Sequence, residues 1–157
     1  MIGIGSDHAG YQLKQEIIKH LINKGYEVKD FGTCSADTDV DYPDYGLAVA
    51  KAVSRGECEK GIIICGTGIG ISIAANKVRG IRAALCTDSY MARMSRLHND
   101  ANVLALGGRI LGVGLALDIV DTWLETEFLG ARHKRRIDKI IEIESEYSNE
   151  SNNDQNK

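Results

Sequence analysis

Cys65 opens the run Cys65-Gly66-Thr67-Gly68-Ile69-Gly70 and directly follows Ile62, Ile63 and Ile64. The β-branched stretch marks a strand buried on both faces of a parallel sheet. The alternating glycines then lead into a helical pattern through Ile71-Ser72-Ile73-Ala74-Ala75-Asn76-Lys77. A strand that ends in a glycine loop and opens a helix presents bare N–H groups and the positive end of a helix dipole, which together hold an anion or a group becoming one. Cys65 stands where open α/β sheets place their ligands. A thiol has a reference pKa of about 8.5, and helix N-termini and nearby cations favour the thiolate. The expectation is a reactive thiol beside an oxyanion cradle, against the plainer reading of a small buried hydrophobe next to a tight turn.

Two histidine corners and one basic run complete the candidates. Asp7-His8 closes the first strand, and His98-Asn99-Asp100 lies between a short helix and the fifth strand. Histidine titrates near working pH, so His98 is a cap or surface residue, or a general acid–base if it converges with Asp7-His8 on the carboxyl edge of the sheet. The spacing predicts that convergence. Arg132 and Arg136 are four apart in Arg132-His133-Lys134-Arg135-Arg136 and share a helical face. Two guanidiniums side by side suit a phosphate dianion. A solvated helix start and a nucleic-acid contact are the competing readings, and the acidic balance and lack of interleaved aromatics weigh against the second.

The glycine loop fits no nucleotide fingerprint. A third glycine of Gly-x-Gly-x-x-Gly would fall on Ile71 or Ile73, and Gly3-x-Gly5 meets His8. No Gly-Lys-Ser/Thr follows either. With cations at one end and a thiol with main-chain donors at the other, a small sugar phosphate would span the site. Its chemistry would be proton abstraction beside a carbonyl, through an enediolate. The sequence offers no metal-ligand set and no cofactor motif, so none is expected.

The elements that must position these residues follow from periodicity. Strands are expected at 2–6, 26–31, about 62–65, 81–86 and 103–106, and helices at 10–23, 44–54, 71–78, 90–97, 115–129 and 133–147. The β–α alternation predicts a Rossmann-like three-layer α/β/α fold with a five-stranded parallel sheet, doubly wound. Residues 1–147 are read as one domain and residues 148–157, which contain no hydrophobe, as a disordered polar tail. The chain has 157 residues, is 43% hydrophobic and carries a net charge of -3, which argues against a nucleic-acid or membrane-surface role for the whole. Its first residues lack the layout of a secretory signal, so a cytoplasmic location is expected. Cys34, Cys58, Cys65 and Cys86 form no CxxC pair and are expected to be free thiols.

Gly5-Ser6-Asp7-His8-Ala9-Gly10, Asp41-Tyr42-Pro43, Ile64 to Lys77, His98-Asn99-Asp100-Ala101-Asn102-Val103-Leu104 and Gly130-Ala131-Arg132-His133 together resemble the type B ribose-5-phosphate isomerase family over about residues 1–145. That family also holds galactose-6-phosphate isomerase subunits and allose-6-phosphate isomerases. The resemblance implies an aldose–ketose isomerase for ribose 5-phosphate, with a six-carbon phosphosugar as the alternative substrate and a non-catalytic phosphosugar-binding module as the alternative class. It implies that Cys65 is the base, that Thr67 and the backbone of Gly66, Gly68, Ile69 and Gly70 hold the enediolate, and that His98 opens the furanose ring with Asp7. His8, Arg109, Arg132 and Arg136 would bind phosphate, and Tyr42 and Asn99 would line the sugar site. It further implies a homodimer or homotetramer in which His98 and Asn99 reach the neighbour's site. Some relatives use a glutamate as base; the matching position here is Ile71, which leaves Cys65 alone in that role.

Overall fold

The computed structural model describes residues 1–153, with side chains to residue 148. Its strands are β1 (Ile2–Ser6), β2 (Val28–Asp30), β3 (Lys60–Cys65), β4 (Ala83–Leu85) and β5 (Val103–Gly107). Its helices are α1 (Tyr11–Asn23), α2 (Tyr42–Ser54), α3 (Ile69–Ala75), α4 (Ser89–Asn99), α5 (Val113–Glu125) and α6 (Arg132–Asn153), with a 3-10 turn over His8–Gly10. The strands form one parallel sheet in the order β2-β1-β3-β5-β4.

Strand alternation divides the core into two faces. Ile62 and Ile64 join Ile2, Ile4, Leu104 and Leu106 beneath α1, α4 and α5, around the fully buried Trp123. Ile63 and Cys65 point the other way, with Val103 and Ala105, into α2 and α3. The three-layer arrangement follows directly. β1 and β3 are neighbours, yet the chain leaves them toward opposite ends of the sheet, which opens a crevice at their carboxyl ends.

Glycines set how closely α2 rides on the sheet. A Cβ on Gly5 would lie 2.8 Å from Val49 Cγ2, and one on Gly61 would lie 2.6 Å from Val49 Cγ1. Real side chains do not pack that closely, so both positions must stay bare.

Element existence and order agree with the sequence reading; several bounds do not. β2 and β4 are shorter, because only their central residues pair with neighbours. α5 stops at Glu125: Thr126 turns extended and its Oγ1 bonds back to the Thr122 carbonyl at 2.6 Å, leaving Phe128 and Leu129 in a connecting loop. α6 continues through the first part of the expected polar tail, residues 148–153, and residues 154–157 lie outside the described residues. The loss of hydrophobes ends the packing face but not the main-chain ladder, and Ser148 Oγ bonds back to the Glu144 carbonyl at 2.7 Å. Among the described residues no helix is long and apolar enough to cross a membrane.

Gly61→Ala should destabilise the fold by about 1–3 kcal/mol through overpacking against α2. Urea unfolding checks this, and adding Val49→Ala should recover part of the loss. An unchanged midpoint for the single variant would mean that α2 can shift outward freely.

Candidate active site

β3 delivers Cys65 to the crevice, paired in register with Gly107 of β5. The chain then reverses at Gly68, in the left-handed region with φ 79°. A Cβ there would sit 2.5 Å from Leu85 Cδ1 and 2.9 Å from the Leu106 carbonyl carbon, so glycine is required for space as well as for conformation. The reversal aims the Gly68 N–H back at Cys65 Sγ, 3.2 Å away. Thr67 is exposed and its Oγ1 accepts from the Ile69 N–H at 3.3 Å, so the hydroxyl is oriented by the loop it caps. Gly70 is bare because Tyr42 lies over it: a Cβ would be 2.6 Å from the phenol ring.

Cys65, Thr67, Gly70 and Tyr42 line a cleft of about 460 Å³ together with Asp7, His8, Gly66, Ile69 and Arg109. Asp7 is buried and its Oδ1 caps the following turn by accepting from the Gly10 N–H at 3.0 Å. His8 Nδ1 accepts from the Val40 N–H at 3.2 Å, which places the ring proton on Nε2. That nitrogen faces Asp39 Oδ1 at 3.3 Å. A groove of similar size, about 470 Å³, runs between α1 and the start of α5, but no thiol, imidazole or guanidinium lines it. Chemistry, not volume, singles out the thiol cleft.

Lys14, a charged residue of α1, is buried beside the loop that reaches His8. It is 1% exposed, and its Nζ donates to Asp30 Oδ2 at 2.7 Å, Asp30 Oδ1 at 2.9 Å and the Thr33 carbonyl at 2.8 Å. It thereby fastens the near end of the 31–41 loop, whose far end holds His8 through Val40. A signal existed: Lys14 lies three residues before Ile17 and seven before Leu21, on the apolar stripe of α1.

The remaining predicted residues lie elsewhere in the chain. α4 starts at the carboxyl edge, where Asp88 caps it, and runs back over 11 residues, roughly 16 Å. His98 and Asn99 therefore end up at the amino edge of the sheet, near Asn102, whose carbonyl accepts from the Gly61 N–H at 2.9 Å. The expected convergence of His98 with Asp7-His8 on one edge is incorrect within one chain. So is the placement of Arg132 and Arg136 at the far end of the Cys65 site. They begin α6 beside His98 and are exposed, and among the described residues neither makes a salt bridge. His98 stacks on His133 with ring centroids 4.2 Å apart and planes 8° off parallel. The amino-edge cluster thus holds His98, Asn99, Arg132 and Arg136; nine of the other ten line the cleft, and Gly68 is buried behind it at the chain reversal.

Known proteins share this chain's sequence and fold. A family model described as Ribose/Galactose Isomerase matches residues 2–140. The chain is 53% identical over 143 residues to ribose-5-phosphate isomerase B of Escherichia coli (strain K12), covering 91% of this chain and 95% of that protein. It superposes on the structure of Clostridium thermocellum ribose-5-phosphate isomerase B with a TM-score of 0.91 and 68% identity, covering 93% of this chain and 98% of the other. The Mycoplasma genitalium ribose-5-phosphate isomerase B structure with bound ribulose-5-phosphate gives a TM-score of 0.89 at 45% identity, covering 92% and 96%.

The four thiols differ in setting. Burial pushes the Cys86 thiol up to about 11 and also raises Cys58, whereas Cys34 is exposed and Cys65, though also buried, is the one of the three buried thiols that lines the cleft. Iodoacetamide near pH 7.5, read by mass spectrometry, should label Cys34 and Cys65 and spare Cys58 and Cys86 until the chain unfolds. Labelling of Cys86 in the folded protein ahead of Cys65 would contradict the described cleft.

Proposed function

The chain belongs to the ribose/galactose isomerase family, and we propose that it interconverts ribose 5-phosphate and ribulose 5-phosphate. The observation that carries this reading is Cys65, 4% exposed on the wall of the cleft, with a main-chain N–H pointing at its sulfur from 3.2 Å. The phosphate sits on His8 Nε2–H and the exposed Arg109 guanidinium, and the carbonyl end of the open-chain sugar reaches Cys65. The thiolate takes the proton from C2 of the aldose. Electrons move onto the carbonyl, and the enediolate oxygens are held by the Thr67 hydroxyl and the N–H groups of the Gly66–Gly70 loop. The same proton returns to C1 while the O2 hydroxyl proton passes to O1 and C2=O2 forms, which gives the ketose with no atom gained or lost. Tyr42, laid over Gly70, walls the sugar.

The cleft as one chain builds it is short of cations and of a ring-opening acid. Arg132, Arg136, His98 and Asn99 are grouped on the opposite edge, with neither guanidinium in a salt bridge among the described residues. The reading is therefore a cytoplasmic homodimer, or a larger assembly, in which this cluster completes the cleft of a second copy. His98 opens the furanose ring there with Asp7, and the arginines close on the phosphate.

A coupled assay with ribose 5-phosphate and, separately, allose 6-phosphate decides the substrate by the higher kcat/KM. Cys65→Ala should lower kcat by about 10²–10⁴ while sugar-phosphate binding persists; near-normal turnover would remove Cys65 from the role of base. His98→Asn should lose more activity on cyclic ribose 5-phosphate than on open-chain ribulose 5-phosphate. Arg132→Ala should raise KM more than it lowers kcat. Mixing the Cys65→Ala and His98→Asn proteins and allowing exchange should restore about a quarter of wild-type activity on ribose 5-phosphate, above what either variant shows alone, since half the dimers then carry one intact site. No recovery would sink the shared site.

A further inference from the structure

We infer that His133 is the positioning residue of the amino-edge cluster, holding the His98 ring by stacking and the Arg132 guanidinium by a hydrogen bond. The inference rests on the isomerase reading, in which those two side chains act on a second copy's substrate.

His133 is 4% exposed, unlike the arginines on either side of it on α6. Its ring lies flat on His98, 4.2 Å away, which restricts the tilt of a half-buried imidazole at a helix end. Its Nε2 accepts from Arg132 Nε at 3.4 Å. Using Nε leaves the two terminal amino groups of that guanidinium free, and among the described residues they bond to nothing. A planar fork fixed from behind is the form in which arginine grips phosphate bidentately.

The bond assigns the tautomer. Nε2 carries the lone pair, so Nδ1 carries the proton, and that Nδ1–H is buried without a partner. A buried, unsatisfied donor is destabilising. A ring kept only for packing would be better served by phenylalanine. The ring must also stay neutral, because an imidazolium has no lone pair for Arg132. Burial pushes the His133 pKa below its ordinary value, and His98, Arg132 and Arg136 push it the same way.

Two variants separate the two contacts. His133→Phe keeps a flat ring for His98 and removes the acceptor for Arg132. It should raise KM roughly tenfold for both sugar phosphates with kcat within about twofold, and weaken inorganic phosphate binding by a similar factor in calorimetry. His133→Gln keeps an acceptor oxygen and removes the ring. It should cut kcat/KM on ribose 5-phosphate roughly tenfold more than on ribulose 5-phosphate, with phosphate affinity near wild type. A residue with a merely structural role would lower every parameter together in both variants; that result, or wild-type behaviour of both, overturns the inference. Long-range 1H–15N NMR of the unmodified protein provides a check that needs no variant to fold. The Nδ1–H tautomer of neutral His133 supports the inference, and the Nε2–H tautomer or an imidazolium at neutral pH overturns it. A wild-type protein that binds phosphate without isomerising either sugar would end the isomerase reading while the calorimetric and NMR arms still judge the positioning role.

Discussion

The site depends on a chain reversal that only glycine can make. Gly68 has φ 79° and is pressed between Leu85 and the Leu106 backbone, so neither its conformation nor its surroundings admit a side chain. That reversal points one amide at the Cys65 sulfur and starts α3 two residues from Thr67. A main-chain donor costs no side-chain entropy to hold in place and cannot swing away. The buried isoleucines of β3 matter to chemistry because they fix the point at which the reversal begins.

Much of this is legible in the sequence. Three consecutive isoleucines followed by alternating glycines could hardly be anything but a buried strand breaking into a tight turn, and the cleft residues Asp7, His8, Cys65 and Thr67 all follow from being at strand ends. What periodicity does not show is the direction in which a crossover helix carries its last turn. His98 looks adjacent to a strand and is, but to the beginning of β5 and not to its end. Arg132 and Arg136 share a face as their spacing requires, yet spacing within a helix says nothing about which edge of the sheet receives it. Lys14 misleads differently: a lysine reads as solvated, and its burial depends on Asp30 and Thr33, sixteen and nineteen residues away.

The chain therefore separates its reactive groups by polarity as well as by place. The thiol and its amides sit at the carboxyl edge with one imidazole and one guanidinium. Two further guanidiniums and a stacked imidazole pair sit at the amino edge. Keeping the arginines apart avoids crowding like charges in one small domain.

The two loops that frame the thiol are joined chiefly through main-chain atoms. The Gly108 N–H donates to the Cys65 carbonyl at 2.8 Å, the Arg109 N–H donates to the Gly66 carbonyl at 3.0 Å, and a Cβ on Gly107 would lie 2.8 Å from the Thr67 carbonyl oxygen. Side chains contribute little to that seam. The residues facing the ligand can consequently drift in size and polarity while the reactive scaffold stays intact, so this architecture can acquire new sugar preferences by point changes without first becoming unstable.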